Sequence, residues 1–275
     1  MESSFRKMLF QKTNFEITNC DKATVGGKLW NSDKTHPFMD LNHNRIYYVL
    51  SGQAKVQTTT SELTLVPGNM YLIPAETIIA TKCTTFFEHC YLHFTTSNYE
   101  FNLFLSLSNF MQECPIDKTI ADFFTTVKNN YKSDSPSKSL LAQGAFRIIL
   151  SKFFENVEFN QNFVKFYDVL LYIQENLSKK ISLRDLANIA NLEAAYFSTQ
   201  FSKAFGIPPI QYINKKRIIL AQTLLASSRL SVQEISYSCG FENPFYFSKI
   251  FKMNVGVSPK QYMEKIRYDE TPFST

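Results

Sequence analysis

Short apolar runs broken by turn residues fill the first hundred positions of the chain, and longer runs with helical spacing fill the rest. Residues 45–50 (RIYYVL), 54–60, 63–66, 70–73 and 86–94 are rich in β-branched and aromatic side chains, and are punctuated by Gly52, Pro67-Gly68 and Pro74. Several short strands at this spacing predict a sandwich or barrel. From about residue 99 to 158 the period becomes helical, over 117–132 and 137–157, with Ser135-Pro136 as a start signal. Leu141, Ala145, Ile148 and Ile149 form an i, i+4, i+7, i+8 stripe there, expected at a dimer seam or against the chain's own strands. Beyond a polar patch at 160–162 the chain reads as helical to its end.

That end contains one unit twice. Residues 196–213 (YFSTQFSKAFGIPPIQYI) and 246–263 (YFSKIFKMNVGVSPKQYM) share eight of 18 positions at an offset of 50. Upstream the match continues at an offset of 49, with 183–187 facing 232–236 and Leu192 facing Phe241. Each unit reads as a short helix (Leu183–Ile189; Val232–Ser238), a tight turn, and a second helix (Ala194–Phe205; Pro244–Val255) stopped by Gly206 or Gly256. Asn243-Pro244 supplies an N-cap and a first helical residue. A helix over 212–226 joins the units, and the plan is helix-turn-helix. Phe197, Phe201 and Phe205, like Phe247, Phe251 and Val255, recur at i, i+4, i+8 and mark the buried faces.

The opposite faces are the candidate DNA readers: Ala194, Ala195, Ser198, Thr199 and Ser202 in the first unit, and Asn243, Phe245, Ser248, Lys249 and Lys252 in the second. Lys249 is expected at a guanine edge or a phosphate, and Ala195 and Thr199 against apolar groups such as thymine methyls. Charge supports this. Residues 1–163 carry 15 basic and 15 acidic side chains, whereas 164–275 carry 14 and 9, so the whole net charge of +5 lies in the helical end.

Composition narrows the remaining classes. The 275 residues are 44% hydrophobic and 19% charged, enough for two cores and too apolar for disorder. No apolar run approaches the roughly 18 residues of a membrane span. Arg6 and Lys7 precede no signal-like apolar stretch, so a cytoplasmic protein is expected. Five scattered cysteines (Cys20, Cys83, Cys90, Cys114, Cys239) read as reduced core residues. Glycine is scarce, and no GxSxG, HExxH, CxxC or P-loop pattern occurs, so no enzyme and no cofactor is expected.

The repeat resembles the AraC/XylS family of bacterial transcription regulators. The carrying residues are Leu186-Ala187, Tyr196-Phe197, Phe201, Phe205-Gly206, Tyr212, Arg217, Ala221 and Leu224-Leu225 in the first half. The second half matches through Ile235, Cys239-Gly240-Phe241, Tyr246-Phe247, Phe251, Gly256, Ser258-Pro259 and Tyr262. The resemblance implies a seven-helix domain and sequence-specific binding to double-stranded DNA. Glu193 stands where the family has Ser or Thr at the first recognition-helix cap. Its carboxylate suits the helix dipole but repels phosphate.

The first half resembles, less closely, the cupin-like sensor domain of that family, through Gly52 after YYVLS, Pro67-Gly68 and Pro74. The metal-ligand places of metal cupins hold Met39, Leu41, Arg45 and Ile79, none suited to a first-row metal. His89 and His93 would lie about 13 Å apart on a strand, too far to share an ion. Alternation puts Arg45, Tyr47 and Val49 on one face. If that face is internal, Arg45 suits a small polar effector, a sugar or an anion, with Tyr47 as wall and Trp30 as stacking partner or core residue; the competing reading is a solvated or ion-paired Arg45.

The expected fold class is α+β multidomain, with an N-terminal cupin-like β-barrel followed by helices and a C-terminal all-α double helix-turn-helix domain. The divisions are 1–98 for the effector-sensing barrel, 99–160 for a helical dimerisation or linker segment, and 164–275 for the DNA-binding domain with units at 183–206 and 232–256. The expected function is a ligand-responsive transcription regulator, with DNA, a small effector, a second copy and, for activation, RNA polymerase as partners. The alternatives are a cupin-type isomerase or oxygenase with an accessory helical domain, or a regulator without its own ligand.

Overall fold

A computed structural model describes residues 13–26, 43–58, 62–75, 77–83, 85–98, 101–102, 104–105, 113–155 and 161–269. The described residues up to 155 form one compact unit and those from 161 another.

The described residues of the first unit form eight strands: β1 (Phe15–Gly26), β2 (Asn44–Gly52), β3 (Ala54–Thr58), β4 (Glu62–Leu65), β5 (Asn69–Ile73), β6 (Ile78–Lys82), β7 (Phe86–Thr96) and β8 (Glu113–Pro115). They pair as a five-stranded sheet, β1-β7-β2-β5-β8, and a three-stranded sheet, β4-β3-β6. Among the described residues the pairing makes two sheets and does not close them into one barrel. β1, β6 and β8 escaped the sequence pattern. β1 (FEITNCDKATVG) is polar along much of its length, and as a sheet-end strand it buries only Cys20 fully. Gly52 turns the chain from β2 towards β3 at φ +74, where a Cβ would run into the Phe86 carbonyl oxygen.

Two helices cover one face of the larger sheet. In α1 (Lys118–Asn130), Asp117 caps the first turn by accepting from Ile120 N at 2.9 Å. Phe124 of α1 meets Tyr48 of β2 at 5.6 Å. α2 (Pro136–Ser151) sets Phe146 against Phe94 at 5.0 Å and Phe15 at 5.5 Å. The proposed seam stripe therefore divides. Ala145 and Ile149 are buried within the unit, whereas Leu141 and Ile148 remain 56% and 41% exposed.

The described residues of the second unit form seven helices, and the four helices of the two helix-turn-helix pairs have the bounds expected from the sequence. The seven are α3 (Gln161–Glu175), α4 (Leu183–Ile189), α5 (Ala194–Phe205), α6 (Pro209–Ser227), α7 (Val232–Ser238), α8 (Pro244–Val255) and α9 (Pro259–Asp269). α4 and α7 begin with reciprocal capping boxes, Ser182 with Asp185 and Ser231 with Glu234. Phe166, Phe197, Phe201, Phe205 and Tyr212 form the aromatic core of the first half. Phe241, Phe247, Phe251, Val255 and Tyr262 pack with Ile218, Ala221 and Leu225 of α6 in the second.

Arg217, midway along α6, ties the halves together. Its Nε donates to Leu177 O at 2.9 Å and its Nη2 to Lys179 O at 2.6 Å, just past the end of α3. Its guanidinium lies 5.6 Å from the Phe241 ring in the second turn. Gly240 in that turn has φ +80, and a Cβ there would strike the Leu177 carbonyl oxygen and lie 2.8 Å from Arg217 Nη2.

Gly240→Ala should therefore cost more than left-handed backbone strain alone. Gly206 shares the positive φ, at +75, but a Cβ there meets nothing within 4 Å. In urea unfolding, Gly206→Ala should cost about 1 kcal/mol, and Gly240→Ala at least about 2 kcal/mol more because it also displaces charged hydrogen bonds. Equal losses would show that crowding at Arg217 is unimportant.

Candidate functional site

The two recognition helices are built by the same local rules with different side chains. Glu193 caps α5, its Oε2 accepting from Ala195 N at 2.9 Å and Tyr196 N at 3.2 Å. Asn243 caps α8, its Oδ1 accepting from Phe245 N at 2.8 Å and Tyr246 N at 3.3 Å. Both helices end at a left-handed glycine, Gly206 and Gly256. Each preceding turn also has one left-handed residue: Gly240 in the second unit, and in the first Asn191 at φ 54, a residue type that tolerates the region.

Burial of Phe197 and Phe201, and of Phe247, Phe251 and Val255, fixes the outward ridges. These run Ala195–Thr199–Lys203 in α5 and Phe245–Lys249–Met253 in α8, all exposed. Thus Ala195, Thr199, Phe245, Lys249 and Lys252 are where the sequence placed them, in solvent. Ala194, Ser198, Ser202 and Ser248 are only partly exposed. Three candidate hydroxyls donate into their own helix: Thr199 to Ala195 O at 3.0 Å, Ser202 to Ser198 O at 2.7 Å and Ser248 to Pro244 O at 2.9 Å. Such a hydroxyl keeps acceptor capacity only. The sequence reading missed Lys203 and Met253, although each continues its ridge at i+4. It also left out Tyr196 and Tyr246, identical positions of the repeat, which stand half exposed. The Tyr246 hydroxyl accepts from Asn214 Nδ2 of α6 at 3.3 Å, anchoring α8 to the joining helix.

A second constellation lies in the first unit. Arg45 is only 7% exposed, so it is not a solvated surface arginine. Its Nη1 donates to His43 O at 2.9 Å. Strand pairing sets Arg45 opposite His93, Tyr47 opposite Tyr91 and Val49 opposite His89, so these share one face of the sheet. The Tyr47 ring meets His89 edge-on at 5.3 Å and His93 at 6.3 Å. Spacing excludes a shared ion and leaves His89 and His93 as surface or packed histidines; the β2–β7 register joins them to the Arg45 face. Burial pushes the Tyr47 phenol up, and the nearby Arg45 charge acts the other way. Trp30, the third expected effector residue, lies outside the described residues. Burial also pushes the Cys20 and Cys239 thiols up to about 12, which leaves them unreactive.

A family model described as a helix-turn-helix domain matches residues 186–265. The probable transcriptional regulator LumQ of Photobacterium leiognathi is 26% identical over 248 residues, covering 86% of this chain and 95% of that protein. The HTH-type transcriptional regulator YdiP of Escherichia coli is 34% identical over 100 residues, 36% of this chain and 33% of that protein, so here the chain spans a third of its relative. ToxT of Vibrio cholerae shares the fold over 92% of this chain and 98% of its own, at 15% identity and a TM-score of 0.59. Another ToxT structure holds an unsaturated fatty acid. Among the described residues no helix is long and apolar enough to cross a membrane, and no three metal-ligating side chains come together.

His89 gives the first unit a measurable pH signature. It is 3% exposed and stacked on Phe87 at 4.2 Å. Burial pushes it down to about 4 from 6.5, partly opposed by a backbone hydrogen bond at Phe87. The folded state thus favours the neutral ring. Its contribution is complete above pH 6.5 and is lost as pH falls towards 4. Unfolding free energy should drop by about 3 kcal/mol across that window, and His89→Gln should remove this component. An identical pH slope in the variant would count against a buried neutral His89.

Proposed function

We propose, on the premise that the chain belongs to the AraC/XylS family of DNA-binding transcription regulators, that it reads a two-part DNA site through α5 and α8 under control of a small ligand in its first unit. The observation that carries the DNA reading is the duplicated helix-turn-helix pair with two solvent-facing ridges, in the part of the chain holding all the net positive charge. The relatives are named as regulators and the chain is not an enzyme, so the isomerase or oxygenase reading falls.

The proposed division is a sensor over 1–98, a helical segment over 99–160 and the DNA-binding domain over 164–275. Recognition helices of this type sit about 34 Å apart, one DNA turn, in successive major grooves. Ala194, Ala195, Ser198, Thr199 and Ser202 face one half-site, and Asn243, Phe245, Ser248, Lys249 and Lys252 the other, joined by Lys203 and Met253. Because the Asn243 oxygen is taken up in the helix cap, its contribution is to place the helix and to offer its amide NH2.

For the ligand, a cupin-like interior containing Arg45 and Tyr47, with His89 and His93 on the same face, suits a small polar or anionic molecule. A planar cation pairs well with carboxylate. ToxT, bound to an unsaturated fatty acid, shows a carboxylate ligand in a protein of this fold. The exposed Leu140, Leu141 and Ile148 of α2 favour a homodimer through that helix. RNA polymerase is the further partner of an activator.

Two measurements test these readings. On a duplex enriched from a random pool, Lys249→Ala should weaken binding by about 1–3 kcal/mol if the lysine reads guanine, with the loss focused on that base pair. A phosphate contact would instead lower affinity evenly across sequences and reduce the salt slope by about one. Unchanged affinity on every duplex would refute the assignment. In thermal unfolding with a panel of sugars and carboxylates, at least one compound should raise the melting temperature of the intact chain and fail to do so in Arg45→Ala. A stabilisation that survives this substitution would remove Arg45 from the ligand site.

A further inference from the structure

The reading end of the second recognition helix presents a phenyl ring to water. Phe245, in the first turn of α8, is 86% exposed, whereas its repeat counterpart is Ala195. An aromatic ring gains most from burial, and this one is buried by nothing in its own unit. It heads the ridge that continues through Lys249, and recognition helices reach base edges with their N-terminal residues.

Several hydrogen-bonding groups around that ring are already engaged within the protein. The Asn243 oxygen accepts the N–H groups of Phe245 and Tyr246 at 2.8 and 3.3 Å. Pro244 has no N–H. The Ser248 hydroxyl donates to Pro244 O at 2.9 Å, and the Tyr246 hydroxyl accepts from Asn214 at 3.3 Å. Beside the Asn243 amide NH2 and the Ser248 lone pairs, the largest surface the turn offers a groove is the hydrocarbon of Phe245. Lys249 and Lys252 follow, both exposed, with charge complementary to phosphate or to a guanine edge.

Only one of the four bases presents a methyl group in the major groove: thymine, at C5. The geometry points to Phe245 as the residue that selects a thymine in the second half-site, its ring covering the methyl group while the two lysines hold neighbouring phosphate or guanine. This rests on the DNA reading above and names the base that the reading selects. It also separates the two helices, since the single methyl of Ala195 covers far less of a base edge than a phenyl ring does.

The test uses the full chain and a random double-stranded DNA pool. After enrichment, each thymine of the selected duplex is replaced in turn by deoxyuridine, which removes only the methyl. At one position the intact protein should lose about four-fold in Kd, the value of one buried methyl group. Phe245→Ala should bind the thymine and deoxyuridine duplexes equally at that position. The deoxyuridine comparison on the unaltered protein needs no variant, so it stands whatever the substitution does to folding. The inference is overturned if no thymine responds to methyl loss, as for a ring that contacts another protein or wedges between base steps, or if the response persists in Phe245→Ala. A pool that yields no enriched sequence would instead sink the DNA reading itself.

Discussion

The second unit depends on one guanidinium. Arg217 is on the joining helix, yet its hydrogen bonds go to Leu177 and Lys179, beyond the end of α3, and its flat face lies against Phe241. Three segments distant in sequence meet there. Leu177 and Lys179 lie in the turn after α3, outside any regular ladder, and their carbonyl oxygens need a donor there. Burial lowers the Arg217 pKa, a sign that this charge has given up much of its water. Lysine could not replace it, because a point charge cannot fork to two carbonyls and stack on a ring together. The absence of a side chain at Gly240 is part of the same arrangement.

With that joint fixed, the two halves carry out similar tasks with unequal means. Both place aromatic residues inside and a ridge outside, and both cap the second helix with an acceptor from the turn. The first half uses a carboxylate at Glu193 and presents small side chains. The second uses a neutral amide at Asn243 and presents a ring and two cations. A charge at Glu193 supports its helix and disfavours phosphate nearby, whereas Asn243 supports its helix without that opposition. The second half is thus better suited to close approach by DNA.

Much of this was legible in the sequence because helices report their inner face every third or fourth residue. The Phe197–Phe201 and Phe247–Phe251 spacings mark both outer faces, and the repeat match with its glycine stops marks the four helix-turn-helix segments. Residue type misleads where spacing does not: Met253 is apolar, yet it continues the outward ridge of Phe245 and Lys249 and is exposed. The strand region was less readable. β1 alternates weakly because much of it is partly exposed at the end of a sheet, and the link between Arg45 and the two histidines exists only through pairing across 40 or more residues. Period 2 gives a face, but only register names its neighbours. The α2 stripe divided because the buried face of the helix, through Ala142, Ala145, Phe146, Ile149 and Leu150, is rotated away from the stripe's leading edge, which leaves Leu141 and Ile148 outside.

The change of offset between the two halves, from 49 at Leu192 and Phe241 to 50 at Tyr196 and Tyr246, has a history in it. One residue was gained or lost between the copies, and the alignment puts it at Glu242, between the turn and the Asn243 cap. Inside a helix, a single extra residue would swing everything after it by about 100°, sending Phe247 and Phe251 into water. Outside, it lengthens an exposed connection whose carboxylate meets Lys180 at 3.1 Å. The copies could therefore drift in length at their hinge while their helical phase stayed locked, which is how a duplicated reading head can acquire a new reach without being refolded.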